Sequence, residues 1–336
     1  MVNDQKCKRF HPRRAFSAAG PLNRRDRPRF EQELLEWKYS IKRDWGLYLL
    51  LLIPVACVIV FNYAAYPGLR IAFMDYKPAK GYIGSDYVGL QQFVKSLSDS
   101  DFYMALRNTL VFNLLALFLS FPMPILLAIL LNELKSPAFK KVNQTILYLP
   151  HFLSWPIIAA VALTLFKPGS GIINVLLKRA GLISEGIPFL NEPGHWAVTY
   201  LLIGVWQSMG WGTILYLAAI TGIDPSLYEA ATVDGAGRVR KMWHVTLPGI
   251  RATIVTLLIM NLGRMLGSNY EPLSAFYNPN VREYQFQLAI YVYEKGLSGG
   301  NYSRAAAVGL FQSLTSLVLV LTADRVSKAL GEDGLL

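Results

Sequence analysis

The chain has 336 residues, is 53% hydrophobic and only 16% charged, and carries a formal net charge of +11. Soluble domains hold about a quarter charged residues, so this composition argues for a membrane protein. The basic residues sit in short polar segments rather than interleaved with aromatics on one face, which argues against nucleic acid and for membrane topology.

Residues 1–46 contain twelve Lys or Arg against six Asp or Glu. "KRFHPRR" and "RRDRPR" read as solvated and irregular. They form no signal peptide, because the apolar run begins too late and no small-residue cleavage site follows it. "EQELLEWKYSIKRDW" (31–45) reads either as a short amphipathic helix on the membrane surface or as a flexible basic tail. A basic segment, 1–45, is therefore expected ahead of a membrane domain, 46–330. Cys7 lies in the polar segment and Cys57 in an apolar run, so no disulfide is expected, and neither has metal-ligand neighbours.

Six apolar stretches follow, at about 47–66, 108–131, 144–166, 197–220, 249–268 and 305–323. Each approaches the ~20 residues that carry a helix across ~30 Å of hydrocarbon. A spanning segment must satisfy its own backbone, and no alternating barrel strands occur, so the expected fold is an all-α membrane protein with six transmembrane helices. With an internal N-terminus, the inside segments 1–46, 132–143, 221–248 and 324–336 hold twenty Lys or Arg. The outside segments 67–107, 167–196 and 269–304 are longer in total yet hold eleven. That asymmetry places both termini in the cytoplasm. Prolines in "FPMPILL" (121–127) and "YLPHFLSWP" (148–156) predict kinks, and broken helices line cavities in some transporters.

Polar groups at membrane depth need a reason. Asn113, Gln207, Asn261, Arg264 and Gln312 fall inside the predicted spans, with Ser268 and Ser313 beside them. Trp206, Tyr200 and Tyr216 offer aromatic surface for a pyranose. These residues suit either a sugar path or helix–helix hydrogen bonds. Arg264 is the sharper case: a central arginine costs on the order of 3 kcal/mol and needs a carboxylate such as Glu271, backbone carbonyls or an anionic substrate. His151 has no carboxylate in its span and reads as packing or capping at a helix break. No Ser/His/Asp, Cys/His or paired-carboxylate array is evident, so no catalytic or metal site is expected and the chain reads as a non-enzyme. The segments 76–102 and 270–302, long, aromatic and polar, suit either an external binding protein or packing over helix ends.

The most specified stretch is the polar connection 222–248, which contains "YEAATVDGAGRVRKMWHVTLP" (228–248). Asp224 suits a helix N-cap and Pro225 the first helical position. Ser226 to Val233 makes about two turns, Asp234-Gly235 supplies a reversal, and "RVRKMWHV" a second short helix. Leu247-Pro248 is expected to open the next span. Ala230 and Ala231 leave one face without bulk, and Glu229 and Asp234 offer fixed acceptors. Such a bracket either packs on its own protein or docks a partner.

This stretch resembles the EAA motif of permease subunits of bacterial ABC importers. Glu229, Ala230, Ala231, Asp234, Gly235, Ala236, Trp243, Val245, Leu247 and Pro248 fill the pattern, with Tyr228 preceding it; Val245 stands where Ile is commoner and Trp243 where Phe is frequent. "YLPHFLSWPIIA" (148–159), "GIDPSLYEAATVDGA" (222–236) and "GNYSRAAAVGLFQS" (300–313) resemble the carbohydrate-uptake permeases, and the resemblance runs from about residue 45 to the end. It implies the type I ABC importer permease fold in the bacterial cytoplasmic (inner) membrane, with the bracket as the coupling helix seated in an ATPase cleft. It also implies a second homologous permease in a heterodimer, two ATP-binding subunits, an extracytoplasmic solute-binding protein and an oligosaccharide substrate, acidic and alginate-like in some members. The chain has no GxxxxGK[ST], so ATP and Mg belong to the partner subunits. The competing reading is an ion-coupled secondary transporter for small polar solutes, against which stands the near absence of Asp and Glu in the spans.

Overall fold

The computed structural model describes residues 29–267, 269–331 and 334, with backbone alone for 29–41. Most of the basic segment, Cys7 and Ser268 lie outside the described residues. The chain divides into two compact units, 1–67 and 68–336.

In the first unit, the helical run Arg29–Val58 joins two helices across a kink at Asp44, so residues 31–43 form a helix ahead of the apolar stretch. The backbone departs from helical angles at Asp44 (φ −109°, ψ 21°), where the Arg43 guanidinium donates to its carboxylate at 3.0 Å. A wide helical turn, Ile59–Tyr63, follows. Leu47 to Leu52 are all exposed, as suits an element solvated by hydrocarbon or by another membrane helix.

The candidate spans are Lys42–Phe73, Ser100–Asn132, Pro193–Thr221 and Tyr302–Ala329. Two further pairs are sharply bent: Pro137–Phe152 with Trp155–Leu165, at 102°, and Arg238–Gly249 with Arg251–Gly263, at 60°. The described residues thus offer four spans, or six if each bent pair crosses once. At the first bend Pro150 lies in a tight turn, and Leu153 and Ser154 are extended (ψ 135° and 150°) ahead of the proline-started helix Trp155–Leu165. The second bend corrects an expectation. Leu247 and Pro248 end the helical run 238–249; the straight helix begins at Arg251, after Ile250 leaves the helical region (φ −103°, ψ 8°). It stops at Gly263, five residues short of the expected 268.

Close helix packing rests on small residues, as membrane bundles require. A Cβ on Gly210 would fall on the Leu147 carbonyl, and one on Gly212 would press on Pro124. Gly263 lies similarly against Val320. Near the bracket, Ala128, Leu131, Tyr216, Leu217, Ile220 and Ile250 form one core.

At the opposite end, residues 276–291 are inlaid into the bundle. Val281, Phe286, Leu288 and Tyr291 are essentially fully buried, each contributing roughly 1.5–3 kcal/mol of hydrophobic burial. Helix Ser100–Ser120 holds the inlay by side-chain bonds to its backbone. Asn108 Nδ2 donates to the carbonyls of Glu283 (2.6 Å) and Phe286 (3.0 Å), and Thr109 Oγ1 accepts from Leu288 N–H (2.9 Å). Ion pairs Lys295–Asp101 (2.8 Å), Arg282–Glu294 (2.9 Å) and Arg304–Asp99 (3.3 Å) decorate this end. Pairs this accessible contribute at most about 1 kcal/mol each, so burial holds the inlay. The segment 270–302 is therefore only partly the aromatic surface the sequence suggests: Tyr277, Tyr284 and Tyr293 face outward, while Phe286 and Tyr291 do not.

Candidate functional site

The bracket is built from local turn chemistry. The Asp224 side chain accepts the Ser226 N–H at 2.9 Å, capping helix Pro225–Val233; that bond holds its carboxyl below the usual range. The helix ends in a Schellman turn: Gly235 N–H donates to Thr232 O (3.1 Å) and Ala236 N–H to Ala231 O (2.9 Å), with Gly235 at φ +74°. The chain then returns through Arg238–Lys241 and the wide turn Met242–Thr246. Two side-chain bonds tie the arms together. Tyr228 and Thr246 share a hydroxyl–hydroxyl bond at 3.0 Å, and Lys241 Nζ donates to Thr232 Oγ1 at 2.6 Å. Thr246, 1% exposed, is the hinge of this closure and carried no signal in the sequence beyond its place before Leu247.

The closed bracket leaves apolar groups outside. Val233 is 88% exposed, Trp243 65%, and Leu227 and Val239 are exposed beside them. No residue of Pro225–Val233 is buried. Glu229, Ala230, Asp234 and Pro248 are exposed too; Ala231, Ala236 and Leu247 are half-buried. Trp243 lines a shallow concavity with Gly235, Gly237, Arg238, Val239, Arg240 and His244. Exposed apolar patches of this kind occur at protein–protein contacts, membrane contacts and ligand grooves.

The second element is a cleft of about 520 Å³ among helices Ser100–Ser120, Pro193–Thr221 and Arg251–Gly263. Asn113, Ser120, Ser208, Trp211, Asn261 and Arg264 supply its polar and aromatic lining. Arg264 caps the C-terminus of Arg251–Gly263 rather than sitting mid-helix (φ −95°, ψ 3°), and it is exposed. Glu271 makes no ion pair with it among the described residues. Asn113 lies 13 residues into Ser100–Ser120, about 20 Å along it, and bonds the Met265 carbonyl in the turn that follows Gly263. Within a membrane, irregular backbone is tolerated only where protein buries it or water fills a cavity.

The sequence-predicted path residues do not all converge. Asn261 and Arg264 face the cleft, although Asn261 Nδ2 also donates to Leu257 O at 2.7 Å. Asn113 and Gln312 spend their amide N–H groups on the carbonyls of Met265 (2.6 Å) and Leu266 (2.9 Å). Trp206 lines a separate apolar groove of about 470 Å³ with Val198 and Leu202. Gln207 is half-buried and lines neither. Tyr200 stacks on Trp196 inside the core (4.8 Å), whereas Tyr216 reaches the cleft wall. Trp211 lines the cleft with Tyr216 and Phe121, and is backed by the His151 ring stacked at 4.6 Å and 10°. His151 thus packs at its helix break, as expected, with Nδ1 buried and unpartnered.

Long apolar helices, with two bent pairs beside them and a polar cleft between them, suit a membrane transport component. The chain belongs to the family of binding-protein-dependent transport system inner membrane components, whose model matches residues 120–332. It is similar to the polygalacturonan/rhamnogalacturonan transport system permease protein YteP of Bacillus subtilis, 42% identical over 92% of this chain and 94% of that one. Protein LplB of Bacillus subtilis is 39% identical over 90% and 94%. Among solved structures it resembles a chain of a bacterial alginate ABC transporter in complex with an alginate pentasaccharide-bound periplasmic protein. There the TM-score is 0.77 and the identity 38%, over 89% of this chain and 99% of that chain.

Proposed function

We propose that this chain is the permease subunit of an ATP-driven importer carrying acidic oligosaccharides, rich in uronates, across the bacterial cytoplasmic membrane. The observation that carries the reading is the bracket: a loop closed on itself by Tyr228–Thr246 and a Schellman turn, yet presenting Leu227, Val233, Val239 and Trp243 outward. A loop that packed only on its own chain would turn those groups inward. Tyr228, Glu229, Ala230, Ala231, Asp234, Gly235, Ala236, Trp243, Leu247 and Pro248 form the seat for a separate ATPase. ATP and Mg bind to that partner, and this chain performs no catalysis.

In this reading each bent pair crosses the membrane once, giving six spans with both termini cytoplasmic. Residues 1–45 lie on the cytoplasmic side, and 46–330 form the permease domain. A second, homologous permease, two ATPase subunits and an extracytoplasmic solute-binding protein complete the importer. Polygalacturonan and alginate, named for the similar proteins, are both polyuronates. Arg264 supports an anionic cargo here: it is exposed to the cleft with no carboxylate to neutralise it among the described residues.

The test is uptake into proteoliposomes holding the assembled complex, with trigalacturonate delivered by the solute-binding protein. Uptake should require ATP inside and ignore protonophores. Arg264→Gln should lower trigalacturonate uptake about tenfold, the loss of one charge-assisted hydrogen bond. Uptake by the permease without an ATPase, collapsed by a protonophore, would refute the reading.

A further inference from the structure

The two amides that do not line the path freely have a different task. Past Gly263 the chain turns through Arg264, Met265 and Leu266. Arg264 N–H donates to Asn261 O (3.0 Å), Met265 N–H to Leu262 O (3.1 Å) and Gly267 N–H to Arg264 O (2.9 Å). These bonds leave the Met265 and Leu266 carbonyls outside the local pattern. The first accepts from Asn113 Nδ2 on Ser100–Ser120, the second from Gln312 Nε2 on Tyr302–Ala329. Consecutive carbonyls are thus gripped from two helices nearly two hundred residues apart in sequence. Leu266, 1% exposed, anchors the same turn in the core. Between these fixed points and the helix end stands Arg264, exposed to the cleft.

We infer that Asn113 and Gln312 are positioning residues for Arg264: they fix its backbone so that the guanidinium meets the carboxylate of a passing uronate. The inference rests on the importer reading above. Merely satisfying two carbonyls in a low-dielectric setting would need any donor at each; it would not tie either amide to the charge of the cargo. A guanidinium on a fixed turn discriminates by charge, and one on a loose turn does so less, because the ordering entropy then falls on binding.

The experiment uses the assembled complex in proteoliposomes, with trigalacturonate and its fully methyl-esterified, neutral form as probes. Asn113→Leu and Gln312→Met keep volume and remove the donor. Gln312→Met, outside the cleft lining, should raise KM for trigalacturonate several-fold, leave kcat within about twofold, and leave KM for the ester unchanged; Asn113→Leu, which also removes a polar group from the cleft wall, should raise KM for trigalacturonate several-fold more than KM for the ester. Combined with Arg264→Gln, neither should add a further loss of charge preference, since coupled residues are non-additive. Equal losses for both probes, or losses that add to that of Arg264→Gln, would assign the amides a structural role only and overturn the inference. If Asn113→Leu does not assemble, Gln312→Met, on another helix, decides the question alone. A wild-type complex that transports neither probe refutes the importer reading itself; wild-type charge preference that survives both variants refutes this inference alone.

Discussion

Gly235 offers the cleanest perturbation of the bracket. Its φ is +74°, and no atom lies within 4 Å of the place a Cβ would take. A valine there strikes nothing within this chain, so the cost is the backbone's alone. The left-handed region costs an L-residue roughly 1–2 kcal/mol, and a β-branched one more. Since 1.4 kcal/mol is tenfold, Gly235→Val should lower the population of the closed turn about tenfold or more. The Gly235 and Ala236 amides make the two closing bonds, so their hydrogen-exchange protection should fall by the same factor. ATP-driven uptake and co-purification of the ATPase should fall with it. Asparagine enters the left-handed region readily, so Gly235→Asn should keep most of both. The reasoning fails if valine keeps wild-type protection and uptake. It fails also if asparagine loses as much as valine, for then the position needs clearance against a partner rather than an unusual backbone angle.

Removing either hydroxyl of the Tyr228–Thr246 pair should loosen the arms by about 1 kcal/mol. Tyr228→Phe and Thr246→Val, read by exchange at 225–233, should cost no more together than the larger does alone. Gly210→Ala should abolish assembly, seen as loss of the monodisperse peak in size-exclusion chromatography, because its Cβ meets the Leu147 carbonyl. Gly204→Ala on the same helix meets nothing within 4 Å and should be neutral or stabilising. Burial, with Asp99 beside it, pushes the Tyr291 phenol up to about 12. Its contribution to stability is whole below the unfolded value near 10 and is lost as pH climbs toward 12. The thermal midpoint should therefore fall through that window, and Tyr291→Phe should flatten the fall.

The bracket was legible because its determinants are local: a carboxylate before proline, then a glycine where the chain must reverse. The bend at 150–154 was legible for the same reason. The bend at Ile250 was not. Pro248 suits a first helical turn equally well, and what ends the run is tertiary: Ile250 is buried, and Gly249 lies tight against Ile223. The cleft was half-legible. Trp206 and Trp211 stand five residues apart, roughly 140° around a helix, so one composition serves either face and only the neighbours decide which meets the polar side. An amide in an apolar span announces a partner without saying whether it is sugar or carbonyl: Asn261 and Asn113 look alike in sequence and both line the cleft, yet Asn261 bonds within its own helix and Asn113 across to another segment. The inlay at 276–291 escaped notice because its aromatic residues follow no helical or strand period.

That inlay bears on biogenesis. Its grip on helix Ser100–Ser120 joins residues 178 positions apart, Asn108 and Phe286, so the amide of Asn108 must wait for most of the polypeptide to leave the ribosome. Contacts so distant are slow to close. Maturation of this subunit should therefore finish with a late docking event at the end of the bundle remote from the bracket, and nascent chains stopped before residue 288 should stay protease-sensitive around Asn108 and Thr109.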